Sequence, residues 1–407
     1  MSPRLRRGLL FDTSTSSDMR AAASPALRTI DDGSHFVTQA IQLHFAGFND
    51  TRIWGMENAE RVRRLFRAAK LRPGEAGDPV LWVNLEFAFD PLWFQYLLQR
   101  PGTLLMAKAR PVLALLPSES EAMALDAVLA GEGDVPPSLT IIDHDERPEI
   151  YNDSLRKLEC PFVELLTPAT VRSIERQSYY GAYKGVTDIL TKYLWPELAL
   201  VLTRLAARIG MTPNMVTLIG AALCVWATVL FWQGNYWQGV AAGFVFMVLD
   251  TVDGKLARCT ITSSGWGNAF DHGIDLVHPP FWWYAWGAGL TKVGLGLGHK
   301  HFLAMMAVIV AGYVVQRLIE GAFIKSFGIH IHVWRKFDSD FRLITARRNP
   351  NMIILVIALL LGRPDVGLEL VAWWTALSCL VHAVRLAQAY AARARGGRVT
   401  SWLEQGA

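Results

Sequence analysis

Four aspartates, Asp250, Asp253, Asp271 and Asp275, crowd one stretch of this chain directly after the apolar run GVAAGFVFMVL. The first pair is three residues apart and the second four apart, so each pair projects from one face of its helix. Two helices that each present two carboxylates make a cage of hard oxygen donors, which suits Mg²⁺ or Mn²⁺. Ionisable groups at membrane depth are costly and by default mark function. Any one of these acids alone could instead cap a helix or pair with Lys255 or Arg258. Four of them in this frame point to an ion site.

Neighbouring residues suit the same chemistry. A diphosphate needs cations to neutralise it and hold the reacting phosphorus for in-line attack. Gly254 lets a nucleotide approach the backbone closely. Arg258 offers a planar fork of donors for phosphate oxygens. Gly267 would let the next helix start close to a sugar or base, and Ser264 could donate to a phosphate or to cytosine.

As a pattern the stretch reads D-x2-D-G-x2-A-R-x8-G-x3-D-x3-D and includes Ala257. It resembles the signature of the CDP-alcohol phosphotransferase (CDP-alcohol phosphatidyltransferase) family, with no departing position. The resemblance covers roughly residues 184–398. It implies two Mg²⁺ or Mn²⁺ ions held by Asp250, Asp253, Asp271 and Asp275, with Asp275 also the base that deprotonates the acceptor alcohol. The string T-P-N-x-V-T resembles the family's first span, which implies nucleotide contacts for Thr212, Pro213, Asn214 and Thr217; each could equally serve a helix-breaking turn or cap. Similarity to the inositol-phosphate branch implies that Arg317, Lys325, Arg342, Arg347 and Arg348 grip an acceptor phosphate. Basic loops also bind anionic lipid or set topology. His330 and His332 are spaced like strand neighbours, which is a weak argument for a metal.

These residues need a membrane scaffold. From Met211 onward, apolar stretches long enough to span recur, and six are read: 213–232, 236–256, 268–291, 301–322, 350–362 and 367–391, the fifth short. Trp226, Trp232, Trp237, Trp282 and Trp283 fall near the predicted interfaces. Lys and Arg concentrate after the second and fourth spans and in the tail, which places both termini and the acids on the cytoplasmic side of a multi-pass protein, with a bacterial inner membrane as the expected location. No cleavable signal peptide is evident, since MSPRLRRGLL lacks a long apolar core. Pro196 to Ile209 reads as an amphipathic helix on the inner leaflet, with Arg204 and Arg208 on one face and leucines on the other. Thr212-Pro213-Asn214 is expected to end it. Lys184 to Asp188 reads as a linker with a helix cap at Thr187 or Asp188, or as a turn folding back on the catalytic mouth.

Upstream, residues 1–35 are rich in Ser, Ala and Arg and are expected to be disordered. Strands are predicted at 80–85, 103–107, 112–116 and 139–143, with helices at 59–71 and 120–130. That alternation predicts a small α/β domain over 36–175, similar to the sugar-nucleotidyltransferase-like domain of some family members. The segment FNDTRIWGMENAER lacks the paired glycines of a triphosphate loop, so the domain is read as degenerate. Asp90 is a relic metal position or a helix N-cap. Residues 176–212 form the linker and juxtamembrane helix, 213–395 the transmembrane domain and 396–407 the tail. The fold class is thus α+β: a soluble α/β domain followed by a six-helix transmembrane bundle.

The four cysteines lack ligand spacing, and a net charge of +4 without a basic stripe argues against nucleic acid. The expected activity transfers a phosphatidyl group from a CDP-alcohol, CDP-diacylglycerol for preference, to a polyol or phosphopolyol hydroxyl such as inositol phosphate, releasing CMP at the cytoplasmic face of the lipid bilayer, in a homodimer as in the family. A soluble CDP-polyol donor is the alternative within enzymes. A divalent-cation transporter is the alternative from another class, although no internal repeat supports it.

Overall fold

The structure is a computed structural model that describes residues 27–28, 40–152, 155, 157–183 and 185–404. Most of the N-terminal segment expected to be disordered lies outside the described residues, as does Lys184.

The N-terminal half is built on a six-stranded mixed sheet. Across it, Thr140–Asp143 runs parallel to Thr103–Ala107, which pairs antiparallel with Arg110–Leu116. That strand pairs antiparallel with Val80–Asn84, which runs parallel to Ala40–Ala46, itself parallel to the short edge Arg72–Pro73. Successive side chains of a strand point to opposite faces. Leu81 and Val83 therefore meet Val62, Leu65 and Phe66 of α1 (Asn58–Ala68) and Leu92 and Trp93 of α2 (Pro91–Leu98). Val80 and Trp82 meet Ala122 and Leu125 of α3 (Glu119–Ala130) on the other face. The four predicted strands and two predicted helices are all present within two or three residues. Strand Ala40–Ala46, half-buried along most of its length, and α2 went unread; a helix of eight residues carries little periodicity.

Two ambiguous segments resolve structurally. The Asp90 carboxylate caps α2 by accepting from the Leu92 N–H at 2.9 Å. Residues 52–57 form a tight two-stranded hairpin, turned by Trp54 and Gly55 at positive φ. It docks on α4 (Val171–Gly181), where the Trp54 indole donates to Ser178 Oγ at 2.9 Å.

The second half consists of long helices. α5 (Pro196–Arg208) ends at Gly210 in a left-handed conformation, so glycine rather than the Thr-Pro pair terminates it. Arg204 turns inward to Glu175 of α4 at 2.8 Å, while Leu198, Val201, Leu205 and Ile209 form an exposed stripe. Next come α6 (Pro213–Trp232), α7 (Tyr236–Cys259), α8 (Gly265–Gly289), α9 (His299–Phe327), α10 (Lys336–Arg342), α11 (Arg348–Leu360) and α12 (Pro364–Ala394). Among the described residues, three helices are long and apolar enough to cross a bilayer: α6, α9 and α12. α7 and α8 have the length, but the aspartates and their polar neighbours lower their hydropathy, and α11, at 13 residues, is short. A six-span count therefore goes beyond what length and composition support.

α6 packs along both α7 and α8, bringing the aspartate-bearing helices side by side around Phe231, Phe246, Trp282 and Trp286. Glycines permit the closest approaches. A Cβ on Gly289 would lie 2.0 Å from the Phe231 carbonyl oxygen, and one on Gly287 would lie 2.2 Å from the Phe302 ring. The basic segment after α9 is folded rather than loose. Asp338, buried in α10, receives a two-pronged ion pair from Arg385 of α12 at 2.6 and 2.7 Å. The tail packs back onto it through Trp402 Nε1, which donates to Ser339 Oγ at 2.9 Å.

Candidate active site

The acids lie on facing helices at the mouth of a cavity of about 940 Å³. Carboxylate oxygens of Asp250, Asp271 and Asp275 all fall within 4.8 Å of one another. Three like charges this close demand a cation. Arg348, from the first turn of α11, meets that demand here: Nη1 donates to Asp275 Oδ1 and Nη2 to Asp250 Oδ2, both at 2.7 Å. Its guanidinium also lies 4.9 Å from the Phe246 ring centroid. Asp253 belongs to the same cavity but stands apart from the trio, buried at 3% exposure and receiving the Thr217 hydroxyl at 2.5 Å. The donor set is all oxygen and convergent, so the residues fit a hard divalent ion.

The nucleotide candidates surround this point. Pro213, Asn214, Thr217, Gly254, Ala257, Arg258, Ser264 and Gly267 all line the cavity. Ser264 caps α8 by accepting from the Gly267 N–H at 3.0 Å, an interaction of about 1 kcal/mol. A Cβ on Gly267 would lie 2.7 Å from Asn214 Oδ1, so the glycine allows the starts of α6 and α8 to touch. Thr212 is different: its side chain caps α6 from outside the cavity lining.

The basic candidates divide. Arg317, Arg342 and Arg347 line the same cavity together with Glu320 and His332. Arg347 ion-pairs with Glu320 and approaches His332 Nε2 at 3.3 Å, and Arg317 reaches Glu320 at 3.2 Å. One acid cannot satisfy three guanidiniums. Arg317 Nε, Arg342 Nη1 and Arg347 Nε are buried without a hydrogen-bond partner. Burial, then the charge of Arg347, lowers the Arg342 pKa to about 9. Burial likewise holds His332 well below the usual histidine range, so it is neutral at pH 7. An anion placed here would satisfy the orphaned donors. Lys325 lies outside the lining, exposed near the end of α9, where five residues beyond Glu320 turn it about 140° round the helix. Arg348 lies on the acids rather than with the other arginines.

Further residues line the cavity, some of them unread from the sequence. Asp188 caps the following helix through the Leu190 and Thr191 N–H groups and also faces the cavity, so both readings of that turn hold at one residue. Buried Lys255 packs its ammonium 2.9 Å from the Tyr183 ring centroid. Glu320 stands in the α9 run LIEGAF, where a lone acid among apolar residues was the available signal, whereas Asn349 lies in the polar start of α11 beside Arg347 and Arg348. The α7–α8 loop, 260–264, contributes Thr262, Ser263 and Ser264. Within it Ile261 adopts φ +55°, a left-handed conformation that costs a β-branched residue on the order of 1–3 kcal/mol.

Comparison with known proteins agrees with this geometry. Residues 210–346 match the family model described as CDP-alcohol phosphatidyltransferase. Cholinephosphotransferase 1 of Gallus gallus is 33% identical over 127 residues, covering 28% of this chain and 36% of that protein. The Homo sapiens protein of the same name is 34% identical over 131 residues, covering 29% of this chain and 30% of its own. The chain therefore spans about a third of the length of the curated relatives it matches. Among solved structures, phosphatidylinositol phosphate synthase (PgsA1) of Mycobacterium tuberculosis, in complex with manganese and citrate, aligns with a TM-score of 0.37 at 17% identity over 46% of this chain and 88% of that one. Over residues 210–346, the chain carries a domain of the CDP-alcohol phosphatidyltransferase family.

Proposed function

We propose that the protein is an integral-membrane transferase that moves a phospho-alcohol group from a CDP-alcohol to a hydroxyl acceptor and releases CMP. The observation that carries this reading is the meeting of Asp250, Asp271 and Asp275 in one cavity that Gly254 and Gly267 also line and where buried arginine donors are left without a partner. A divalent cation held by these acids, with Asp253 alongside, would neutralise the donor diphosphate and the charge that develops at the reacting phosphorus. Asp275 accepts the acceptor's hydroxyl proton, and the oxygen attacks the phosphorus distal to the cytidine while CMP leaves. Asn214, Gly254, Arg258, Ser264 and Gly267 hold the nucleotide. Arg348 neutralises Asp250 and Asp275 in the resting site and is free to turn to a phosphate once the acids have another partner.

CDP-diacylglycerol is the preferred donor, because the cavity is lined by residues of α6 and α9, which are long and apolar enough to lie in the bilayer that holds such a lipid. The acceptor is a polyol that already carries phosphate, of which inositol phosphate is the reference case, since Arg317, Arg342 and Arg347 leave N–H donors unmet. Both termini and the site face the cytoplasm of a six-span protein in this reading. The relatives' name favours a second reading, in which a soluble CDP-alcohol is the donor and the group moved is a small phospho-alcohol. Purified protein is mixed with Mg²⁺ or Mn²⁺, one CDP-alcohol and one acceptor, and CMP is measured alongside product mass. CMP formed from CDP-diacylglycerol only with phosphorylated polyols supports the first reading. CMP formed only from a soluble CDP-alcohol supports the second, and no CMP from any pair would overturn both.

A further inference from the structure

The soluble half and the helical half meet at the loop that joins the two aspartate-bearing helices. Arg64 of α1 donates from Nη1 to the Thr260 carbonyl oxygen at 2.9 Å, and Glu60 steadies the same guanidinium at 3.0 Å. One residue on, Ile261 packs its side chain against the apolar core of the soluble domain, beside the cluster that holds Val62, Leu65 and Phe89. Its backbone is in the left-handed region at φ +55°. A β-branched residue does not rest there unaided, so the surrounding contacts must impose the conformation. The constraint passes straight into the site. The Thr260 and Thr262 hydroxyls bond at 2.8 Å, Thr262 and Ser264 line the cavity, and Ser264 caps the helix that carries Asp271 and Asp275.

We infer that the soluble domain is a clamp on the α7–α8 loop: Arg64 and the socket for Ile261 set the start of α8, and with it the spacing of Asp271 and Asp275 from Asp250. Arg64 and Ile261 are positioning residues; neither touches the cavity. The soluble domain thereby acquires a function that requires no nucleotide of its own, and anything that bound α1 would be felt at the acids. The inference rests on the loop geometry and uses the proposed ion site only as a reporter.

The test uses the full-length protein in detergent, with Arg64→Ala, Ile261→Gly and the conservative Arg64→Lys. Hydrogen exchange across 259–268 and Mn²⁺ affinity by electron paramagnetic resonance are measured beside a thermal melt. The clamp predicts faster exchange in that window for Arg64→Ala and Ile261→Gly, and Mn²⁺ binding weakened about tenfold, the scale of one lost charge-assisted hydrogen bond. Arg64→Lys should restore most of both. Unchanged exchange in 259–268, or faster exchange with Mn²⁺ affinity intact, overturns it. If wild-type protein binds no Mn²⁺, the transferase reading fails, and the exchange measurement alone decides the clamp.

Discussion

At the scale of single residues, the site is a contest between like charges and the cations that offset them. Asp275 has a double position, at the acid trio and on Arg348, so its removal separates chemistry from folding. Asp275→Asn should lower CMP formation by at least about a hundredfold, the usual scale for loss of a positioned base, while the melt stays near wild type. Arg347→Ala should raise the KM for a phosphorylated acceptor about tenfold and leave the donor KM in place, because its guanidinium sits with Glu320 and Arg317 rather than with the acids and keeps one buried N–H unpartnered. A neutral acceptor should not sense that change. The four acids and the glycine–arginine frame were legible from spacing alone, since a short helical offset brings side chains to one face regardless of tertiary context. The partition of the basic residues was not: Arg347 and Arg348 adjoin in sequence, yet one meets Glu320 and the other Asp250 and Asp275.

At the scale of elements, close helix contacts and a few ion pairs hold the acid-bearing helices in register. Gly289→Ala would drive a methyl group onto the backbone carbonyl of Phe231, which cannot swing aside as a side chain could. Loss of about 1–3 kcal/mol is expected, read as a lower unfolding temperature in detergent. Outside the long helices, α4 and α5 are joined by Glu197, which accepts from Arg176 at 2.6 and 2.7 Å and from the Tyr180 hydroxyl at 2.5 Å. The Arg176 hydrogen bonds first, then that of Tyr180, lower the Glu197 pKa from 4.5 to about 2. A depressed carboxylate stabilises the fold above its unfolded pKa and loses that contribution as pH falls through the folded value. The α4–α5 contact should therefore weaken between pH 4.5 and about 2, and Glu197→Gln should remove that dependence, as seen by proteolysis at Gly181–Trp195 or by the acid limb of the melt. Both partners are solvent-exposed, so the effect is small at neutral pH and screened by salt.

At the scale of the whole molecule, a soluble sheet domain and a helical domain share one loop, and the strain at Ile261 and the grip of Arg64 make the two halves one device. Residue spacing and apolar run length, read from the sequence by themselves, determined the cluster of acids, the long helices, four of the six strands of the sheet and the resemblance to a known family over residues 210–346, because these follow from local periodicity and from offsets within one helix. Of the residues they singled out, Lys325 and Thr212 lie outside the cavity lining, and among the described residues length and composition support three of the six spans. Only the tertiary structure decided that Arg348 lies on the acids, that Arg317, Arg342 and Arg347 leave donors unmet, and that Asp90 and residues 52–57 serve capping and docking. Those outcomes depend on contacts between residues far apart in the chain, where packing and the cost of an unpaired buried charge choose the partner and no local pattern records the choice.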